Sequence, residues 1–438
     1  MEHFELSASQ KHVASTHGIL SCIESYAICE IFELGFSVDR TRLLASIGVL
    51  AARHKALRAK FSADYQSLVC LPYEATDFSS AIKIAKLDMI DASSWDSSLS
   101  RLRTDIENEP FNPPQDFLFS LTIVEAPGRN ALIICMHHGV FDGWSFQRFV
   151  QELLKTYFEY KTQKDRPRDS ARESTDELML VLNKEQLQIS DLSRLEFWRH
   201  ALAPLKLRPA QCQVDTAGPY RSTVVRLQGA VSDRVREITD ANHIPLAATF
   251  LDASIAAMEQ YIDLKGDGLS TVQLNRDSTK ELSAYGEFAQ WAPVPVQALE
   301  LRAAQASSLE RQRQLWADVI KAGELRLPYW WLVAQFDPEL ISSRYGLTRS
   351  LFNFVPTHNR LDRAGELARW RNDPVSTPVW AIPDFYIHVV DILTEIQIIY
   401  RVNRHVESEM PTDELLASLQ SSITRSCDEY VRSEVRDA

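Results

Sequence analysis

Excess basic charge, paired cysteines and long apolar runs are all missing from this sequence, and each absence removes a class of function. Acidic residues outnumber basic ones, for a formal net charge of -12. A broad nucleic-acid surface needs clustered Lys and Arg, so no nucleic acid is expected as a partner. The six cysteines, Cys22, Cys29, Cys70, Cys135, Cys212 and Cys427, form no Cys-x-x-Cys pair. That scatter fits free, mostly buried thiols in a reducing compartment better than a disulfide framework. No apolar run is long enough to span a bilayer. Met1-Glu2-His3-Phe4-Glu5 lacks the basic stretch and apolar region of a secretory signal. The expectation is a cytoplasmic protein without a membrane partner.

What is present suffices for more than one core. The chain has 438 residues, of which 45% are hydrophobic and 24% charged, a globular composition at a length that suggests two domains or more. Between Lys161 and Glu177 the sequence turns to Lys, Arg, Asp, Ser and Glu with hardly an apolar residue, the pattern of a solvated linker. The boundary is placed there, giving domains 1–170 and 171–438. Ahead of it, strands are expected at Tyr26–Leu34, Gln66–Pro72, Phe117–Val124 and Ala131–Met136, with a helix from Val38 to about Arg58. Phe4 to Gln10 is read as leading into a polar segment. Beyond the boundary, helices are expected at Leu192–Leu202, Val231–Ala241, Ala247–Tyr261 and Ala303–Ala322, and strands at Ser222–Leu227, Phe385–Val390 and Glu395–Val402. A closing helix carries Leu415, Leu416, Leu419, Ile423 and Val431 on one side. The recurring order suggests two similar α/β (α+β) lobes with a ligand cleft between them, although no self-similarity establishes a duplication.

One stretch stands apart: His137-His138-Gly139-Val140-Phe141-Asp142-Gly143-Trp144-Ser145. It lies between the buried strand ending at Met136 and an amphipathic helix marked by Phe146, Phe149, Val150, Leu153, Leu154, Tyr157 and Phe158. A loop held by two rigid elements can aim a side chain and a helix N-terminus at one point. Histidine suits proton transfer near neutral pH, and two adjacent histidines cannot face the same way. His138 is assigned to the substrate and His137 to packing or hydrogen-bonding support. Asp142 could orient an imidazole, cap the helix or sit in a buried ion pair. Gly143 permits close backbone approach, and its N–H, near the start of a helix that Ser145 would cap, could stabilise an oxyanion. Two other readings stay open at this level, a surface His pair and a metal site of His137, His138 and Asp142. Metal is disfavoured because only Cys135 adds a ligand type nearby. No Gly-x-Ser-x-Gly elbow supports serine catalysis.

With its flanks, the loop resembles the HHxxxDG signature of the condensation domains of nonribosomal peptide synthetases, in the chloramphenicol-acetyltransferase-like superfamily. Ser7-Ala8-Ser9-Gln10 resembles the family's SxxQ opening, and Arg53-His54-Lys55-Ala56-Leu57-Arg58-Ala59-Lys60-Phe61 its RHxxLRxxF motif. Leu195-Glu196-Phe197-Trp198, Leu327-Pro328-Tyr329 and Leu351-Phe352-Asn353-Phe354 resemble later motifs in the right order. The likeness covers essentially the whole chain. Departures occur as well. The GxFVNT stretch reads Gly286-Glu287-Phe288-Ala289-Gln290-Trp291-Ala292-Pro293, Glu324 replaces the His before the PF motif, and the RDxSRNPL segment is reduced to Ile341-Ser342-Ser343-Arg344-Tyr345-Gly346-Leu347. These imply altered substrate handling. Heterocyclising domains carry an Asp pair in the signature, epimerisation domains tend to place Trp after Ser, and plant-type acyltransferases add a DFGWG motif; none of these patterns occurs here.

The resemblance implies two lobes forming a V-shaped pseudo-dimer, with His138 midway along a central tunnel. It implies a condensation enzyme joining an acyl thioester to an amine or hydroxyl acceptor in natural-product biosynthesis, with acyl or peptidyl carrier proteins as partners and a small-molecule or carrier-bound acceptor. The carrier's phosphopantetheine would be a substrate arm; no permanently bound cofactor and no metal is implied. Gly143 N–H and Asn353 would stabilise the tetrahedral intermediate, an Arg276 to Asp142 salt bridge across the lobes would fix the loop, and Trp144, Ser145, Gln290 and Trp291 would line the tunnel. Without an adenylation or carrier region the chain is expected to act in trans as a free-standing monomer. A non-catalytic carrier-docking or scaffold protein and a coenzyme A-dependent acyltransferase are the alternatives.

Overall fold

The computed structural model describes residues 1–19, 27–87, 92–107, 109, 111–159, 176–207, 221–303, 307–338, 340, 346–356, 368–371, 383–392, 395–402, 406 and 411–437. Most of the expected linker, residues 341–345, Cys22 and Cys212 lie outside them. In chain order the elements are β1 (Glu2–Glu5), α1 (Ala8–Ile19), β2 (Ala27–Leu34), α2 (Arg40–Arg53), β3 (Ala59–Phe61), β4 (Ser67–Cys70), β5 (Ile82–Lys86), α3 (Ala92–Glu107), β6 (Phe119–Ala126), β7 (Arg129–His137), α4 (Gly143–Glu159) and α5 (Glu177–Ser190). They continue as α6 (Leu192–Ala201), β8 (Arg221–Gln228), α7 (Ala230–Ala241), α8 (Leu246–Met258), α9 (Leu264–Asp267), β9 (Leu269–Gln273), α10 (Thr279–Ser283), β10 (Gln290–Pro293), α11 (Val296–Ala303) and α12 (Ser308–Glu324). The last are α13 (Tyr329–Phe336), β11 (Ser350–Pro356), β12 (Ala368–Arg371), β13 (Phe385–Ile392), β14 (Glu395–Val402) and α14 (Thr412–Asp437).

The chain is α/β and forms two compact units, each with its own mixed sheet. A single cut between residues 170 and 171 does not describe them. The first unit combines Met1–Gln186 with Leu274–Ala289 and Asn359–Pro378, and the second takes the rest. The physical reason is that the returning segments complete structures of the first unit: β12 pairs with β2 at one edge of its sheet, and Leu274–Ala289 bonds to the histidine loop.

In the first unit the five strands run β12-β2-β7-β6-β5, with a separate β1-β4-β3 sheet beside them. The β6/β7 hairpin turns at Pro127-Gly128, where Gly128 takes φ +73, a conformation that favours glycine. Alternation along β7 sorts its side chains between two covered faces. Ala131, Ile133 and Cys135 join Cys29, Ile31, Trp95 and Leu99 under α3. On the other face Phe146 stacks on Phe32 and Phe149 lies against Phe119, which brings in α4. Coverage on both sides makes Ala131 to Met136 an unbroken apolar run. In the second unit the six strands run β10-β9-β11-β13-β14-β8, with β11 parallel to both neighbours. Helices α8, α12 and α14 supply Phe250, Leu251, Leu315, Leu415 and Leu419 to the core on that sheet. Among the described residues no helix is long and apolar enough to cross a membrane.

The helix expected from Val38 to Arg58 stops at Arg53. His54 leaves the helix with φ -118 and ψ 106, and Lys55–Arg58 follow as a 3-10 turn. His54 leaves because its ring is held by a buried charged cluster. Its Nδ1 is 2.5 Å from Glu177 Oε1 and its Nε2 3.0 Å from Glu152 Oε2. The ring stacks on Tyr285 at 3.7 Å between centroids. Tyr285 donates its hydroxyl to Glu152 and its backbone N–H to Glu177. One imidazole thereby joins α2, α4, α5 and the 284–289 segment.

Burial is the largest influence on His54 and pulls its pKa down. The paired carboxylates outweigh it and bring the value up to about 9. A folded-state pKa above the unfolded one contributes stability that is complete below about pH 6.5 and is lost as pH rises through about 9. Glu177, whose pKa is also raised, acts in the same direction. His54→Gln is therefore expected to cost about 3–5 kcal/mol at pH 7, the usual effect of stripping one partner from a buried ion pair. The deficit should shrink towards pH 10. Urea unfolding of both proteins at pH 7 and 10 measures this, and an unchanged difference between the two pH values would rule out a charged His54.

Candidate active site

The histidine loop is the strand-to-helix junction between β7 and α4, five residues from His138 to Asp142. It is tied down from several directions. His137 is buried, accepts the Gly139 N–H on Nδ1 at 2.9 Å, and meets Phe61 and Phe111 edge-on. A Cβ on Gly139 would come within 2.8 Å of the Phe61 ring and 2.9 Å of His137 Nδ1, so any larger residue would displace those buried rings. Gln10 Nε2 donates to the Gly139 carbonyl at 2.8 Å. The same Gln10 exchanges hydrogen bonds with Ser7 at the start of α1, side chain to backbone in both directions, which is a capping box. The Ser7-x-x-Gln10 motif thus starts a helix and anchors the loop with one side chain.

Asp142 is fully buried and accepts four donor groups. Ser145 N–H reaches Oδ1 at 2.7 Å, Phe288 and Ala289 N–H reach Oδ2 at 3.1 Å each, and Arg276 Nη2 lies 3.0 and 2.9 Å from the two oxygens. Asp142 therefore caps α4. Ser145 is not the cap but the third residue of the helix. Arg276 also donates to Ser145 Oγ and to the Gly286 and Ala284 carbonyls, and its guanidinium lies 4.1 Å over the Phe288 ring. It follows Asn275, which turns the chain with φ +52, a left-handed conformation that Asn tolerates. The ion pair does not run across two lobes, because the residues around Arg276 belong to the same compact unit as Asp142.

His138 is the member of the pair that reaches solvent, with 39% of its side chain exposed. Its Nδ1 is 3.2 Å from Glu287 Oε2. Burial pulls its pKa down, but the hydrogen bond to Glu287 and the charges of Glu287 and Asp142 together lift it above the ordinary histidine value. Beside it Gly143 opens α4 and is exposed, and a Cβ there would meet nothing within 4 Å. A ligand atom can therefore approach the first N–H groups of the helix. Trp144 donates its indole N–H to the Leu282 carbonyl at 2.9 Å. Ser145 is wholly buried and exchanges hydrogen bonds with Gly286, so it holds the loop and cannot line a tunnel.

The remaining residues singled out from the sequence lie in the second unit. Asn353, on β11, donates to Tyr386 Oη at 3.2 Å and sits in register with His388 on β13. Gln290 is buried at the start of β10, and Trp291 packs against Tyr329 and Trp330. Glu287 is the site residue that the sequence pattern leaves unmarked, its one signal being an acid between Gly286 and Phe288 in an otherwise uncharged stretch. Among the described residues no three His, Cys, Asp or Glu side chains converge as metal ligands.

The site thus sits in a two-unit α/β chain, on a loop at one strand-to-helix junction, and comparison with known proteins gives the family. The family model described as Condensation domain matches residues 1–374, and the chain belongs to that family. It is 22% identical over 417 residues, 91% of its length, to N-(5-amino-5-carboxypentanoyl)-L-cysteinyl-D-valine synthase of Penicillium rubens. It is 29% identical over 175 residues, 40% of its length, to nonribosomal peptide synthetase NPS2 of Ceriporiopsis subvermispora. The chain covers 11% and 7% of those two relatives, a small part of each. Among solved structures, the condensation domain of the monacolin K polyketide synthase MokA is similar with a TM-score of 0.77 at 14% identity, over 98% of both chains. The epimerization domain of the third module of tyrocidine synthetase B has a TM-score of 0.74 at 14% identity, over 99% of this chain and 98% of that one. The fold is therefore shared by domains of different activity.

Because Asp142 accepts three backbone N–H groups and a buried guanidinium, Asp142→Ala should cost about 3–5 kcal/mol by leaving Arg276 buried and unpaired. Asp142→Asn should also destabilise, since its NH2 would face donors. Thermal and urea unfolding measure both, and an Ala variant as stable as the parent would contradict the structural role.

Proposed function

We propose that this chain is a condensation enzyme of natural-product biosynthesis, transferring an acyl group from a carrier-bound phosphopantetheine thioester to an amine or hydroxyl acceptor. The observation that carries this reading is the half-exposed His138 beside the open N-terminus of α4, on a loop whose other polar side chains are consumed in holding it.

In this reading His138 Nε2 takes the proton of the acceptor as its nitrogen or oxygen attacks the thioester carbonyl. A hydroxyl needs such a base throughout, whereas an amine must be neutral to attack and sheds its proton as the bond forms. The oxyanion of the tetrahedral intermediate faces the Gly143 N–H and the positive end of α4. Collapse breaks the carbon–sulfur bond, and the thiol leaves with the proton that His138 had accepted, giving an amide or ester and free phosphopantetheine. Asp142 has no part in the proton path, because both its oxygens already accept buried donors. Carrier proteins are the proposed partners, and the pantetheine arm is substrate rather than resident cofactor.

His138→Ala is expected to lower product formation by about 10²–10⁴-fold while carrier affinity stays unchanged. Intact-protein mass spectrometry with acyl-carrier and acyl-coenzyme A donors, against a panel of amines and alcohols, makes the measurement. Product only from coenzyme A would reassign the donor. Carrier binding without any product from the parent protein would leave the docking or scaffold role.

A further inference from the structure

Glu287 has no part in the reading above, and it occupies the unspecified position of the GxFVNT pattern. Its backbone is pinned on one side to the first turn of α4 and on the other to the end of the histidine loop: Gly286 exchanges hydrogen bonds with Ser145 Oγ, and Phe288 and Ala289 donate to Asp142. The side chain, 14% exposed, is aimed at His138, with Oε2 3.2 Å from Nδ1. The charged groups that act on it are His138, Asp142 and Arg276. Burial, the largest influence, and the Asp142 charge push its pKa up; His138 and Arg276 pull it back, and it stands at about 7. A carboxylate placed here is costly to ionise, with another carboxylate close by. A neutral side chain at 287 would avoid that cost, so the acid contributes something other than packing.

We infer that Glu287 is a positioning residue for His138, accepting its Nδ1–H so that Nε2 is the nitrogen that takes a proton, and stabilising the imidazolium that results. The ring has two tautomers, and a carboxylate on Nδ1 selects the one with its lone pair on Nε2. When Nε2 is protonated the pair becomes an ion pair with a charge-assisted hydrogen bond. No other reactant is needed: one proton enters at Nε2 and leaves from it. Two groups this close titrate as a unit, so the midpoints belong to the pair. The base form is generated as pH rises through the upper midpoint, above the ordinary histidine range. This role deepens the condensation reading, but the Glu287–His138 contact can be tested without any turnover.

The experiment uses the whole protein labelled with ¹³C at histidine Cε1. The His138 signal is identified by its loss in His138→Asn and followed from pH 5 to 10 in the parent, Glu287→Gln and Glu287→Asp. The parent midpoint is expected above the unperturbed value of about 6.5. Glu287→Gln should bring it down by about one pH unit or more, and Glu287→Asp should restore part of the shift. With one acceptor used throughout, the rising limb of the turnover profile should move in the same direction, with kcat for Glu287→Gln reduced about 10²-fold. Superimposable titrations of parent and Glu287→Gln overturn the inference. So does a parent midpoint at or below the ordinary value, which decides the matter even if a variant fails to fold. A perturbed titration in a protein that forms no product leaves the pair standing and removes the condensation reading; product with an ordinary titration does the reverse.

Discussion

The first unit is organised around one buried carboxylate. Asp142 ends the loop, caps α4, accepts the N–H groups of Phe288 and Ala289, and pairs with Arg276. Removing such a charge from water costs several kcal/mol, and only a full set of donors offsets it. Those donors come from α4 and from a segment that returns more than 130 residues later in the chain. Satisfying Asp142 therefore fixes the start of the helix, the end of the loop and the position of Gly286 to Ala289 together.

That saturation assigns the roles around it. A carboxylate with both oxygens occupied by buried donors cannot also steer an imidazole, so the acid that meets His138 is a different one, Glu287. The neighbouring His54 cluster works in parallel. Tyr285, two residues before Glu287, is held by Glu152 and Glu177 through its hydroxyl and its backbone. Residues 284–289 are thus held between two charged networks, one structural and one facing His138. Ser7 and Gln10 add a third restraint from the N-terminus through Gly139.

Elements with strong local periodicity were legible from the sequence. Strands β2, β6, β7, β13 and β14 and helices α4, α6, α7, α8 and α12 lie near their expected places because each buries a continuous or regularly spaced apolar set. Helix α1 stands where a polar segment is expected, and Ser7-x-x-Gln10 is its helix-start signal. Strands β9 and β11 carry no comparable local signal. Ser270 and Thr271 on β9 and Asn353 on β11 break the apolar pattern, and β-structure depends on the neighbouring strands as much as on the residues themselves. Helix α2 ends before the Arg58 that its sequence pattern suggests because His54 answers to carboxylates on two other helices.

The sequence by itself determined the α/β class, the strand–loop–helix that carries His138, and the motifs that mark the family, since all of these rest on short-range patterns of burial, capping and spacing. The family likeness already paired Arg276 with Asp142; tertiary structure alone decided that the pair lies within one unit, that Ser145 is sealed in the loop's scaffold, and that Glu287 stands against His138. Those contacts join residues 131 to 149 positions apart. No local propensity encodes such a pairing; it follows only once burial has brought the 274–289 segment back onto the loop.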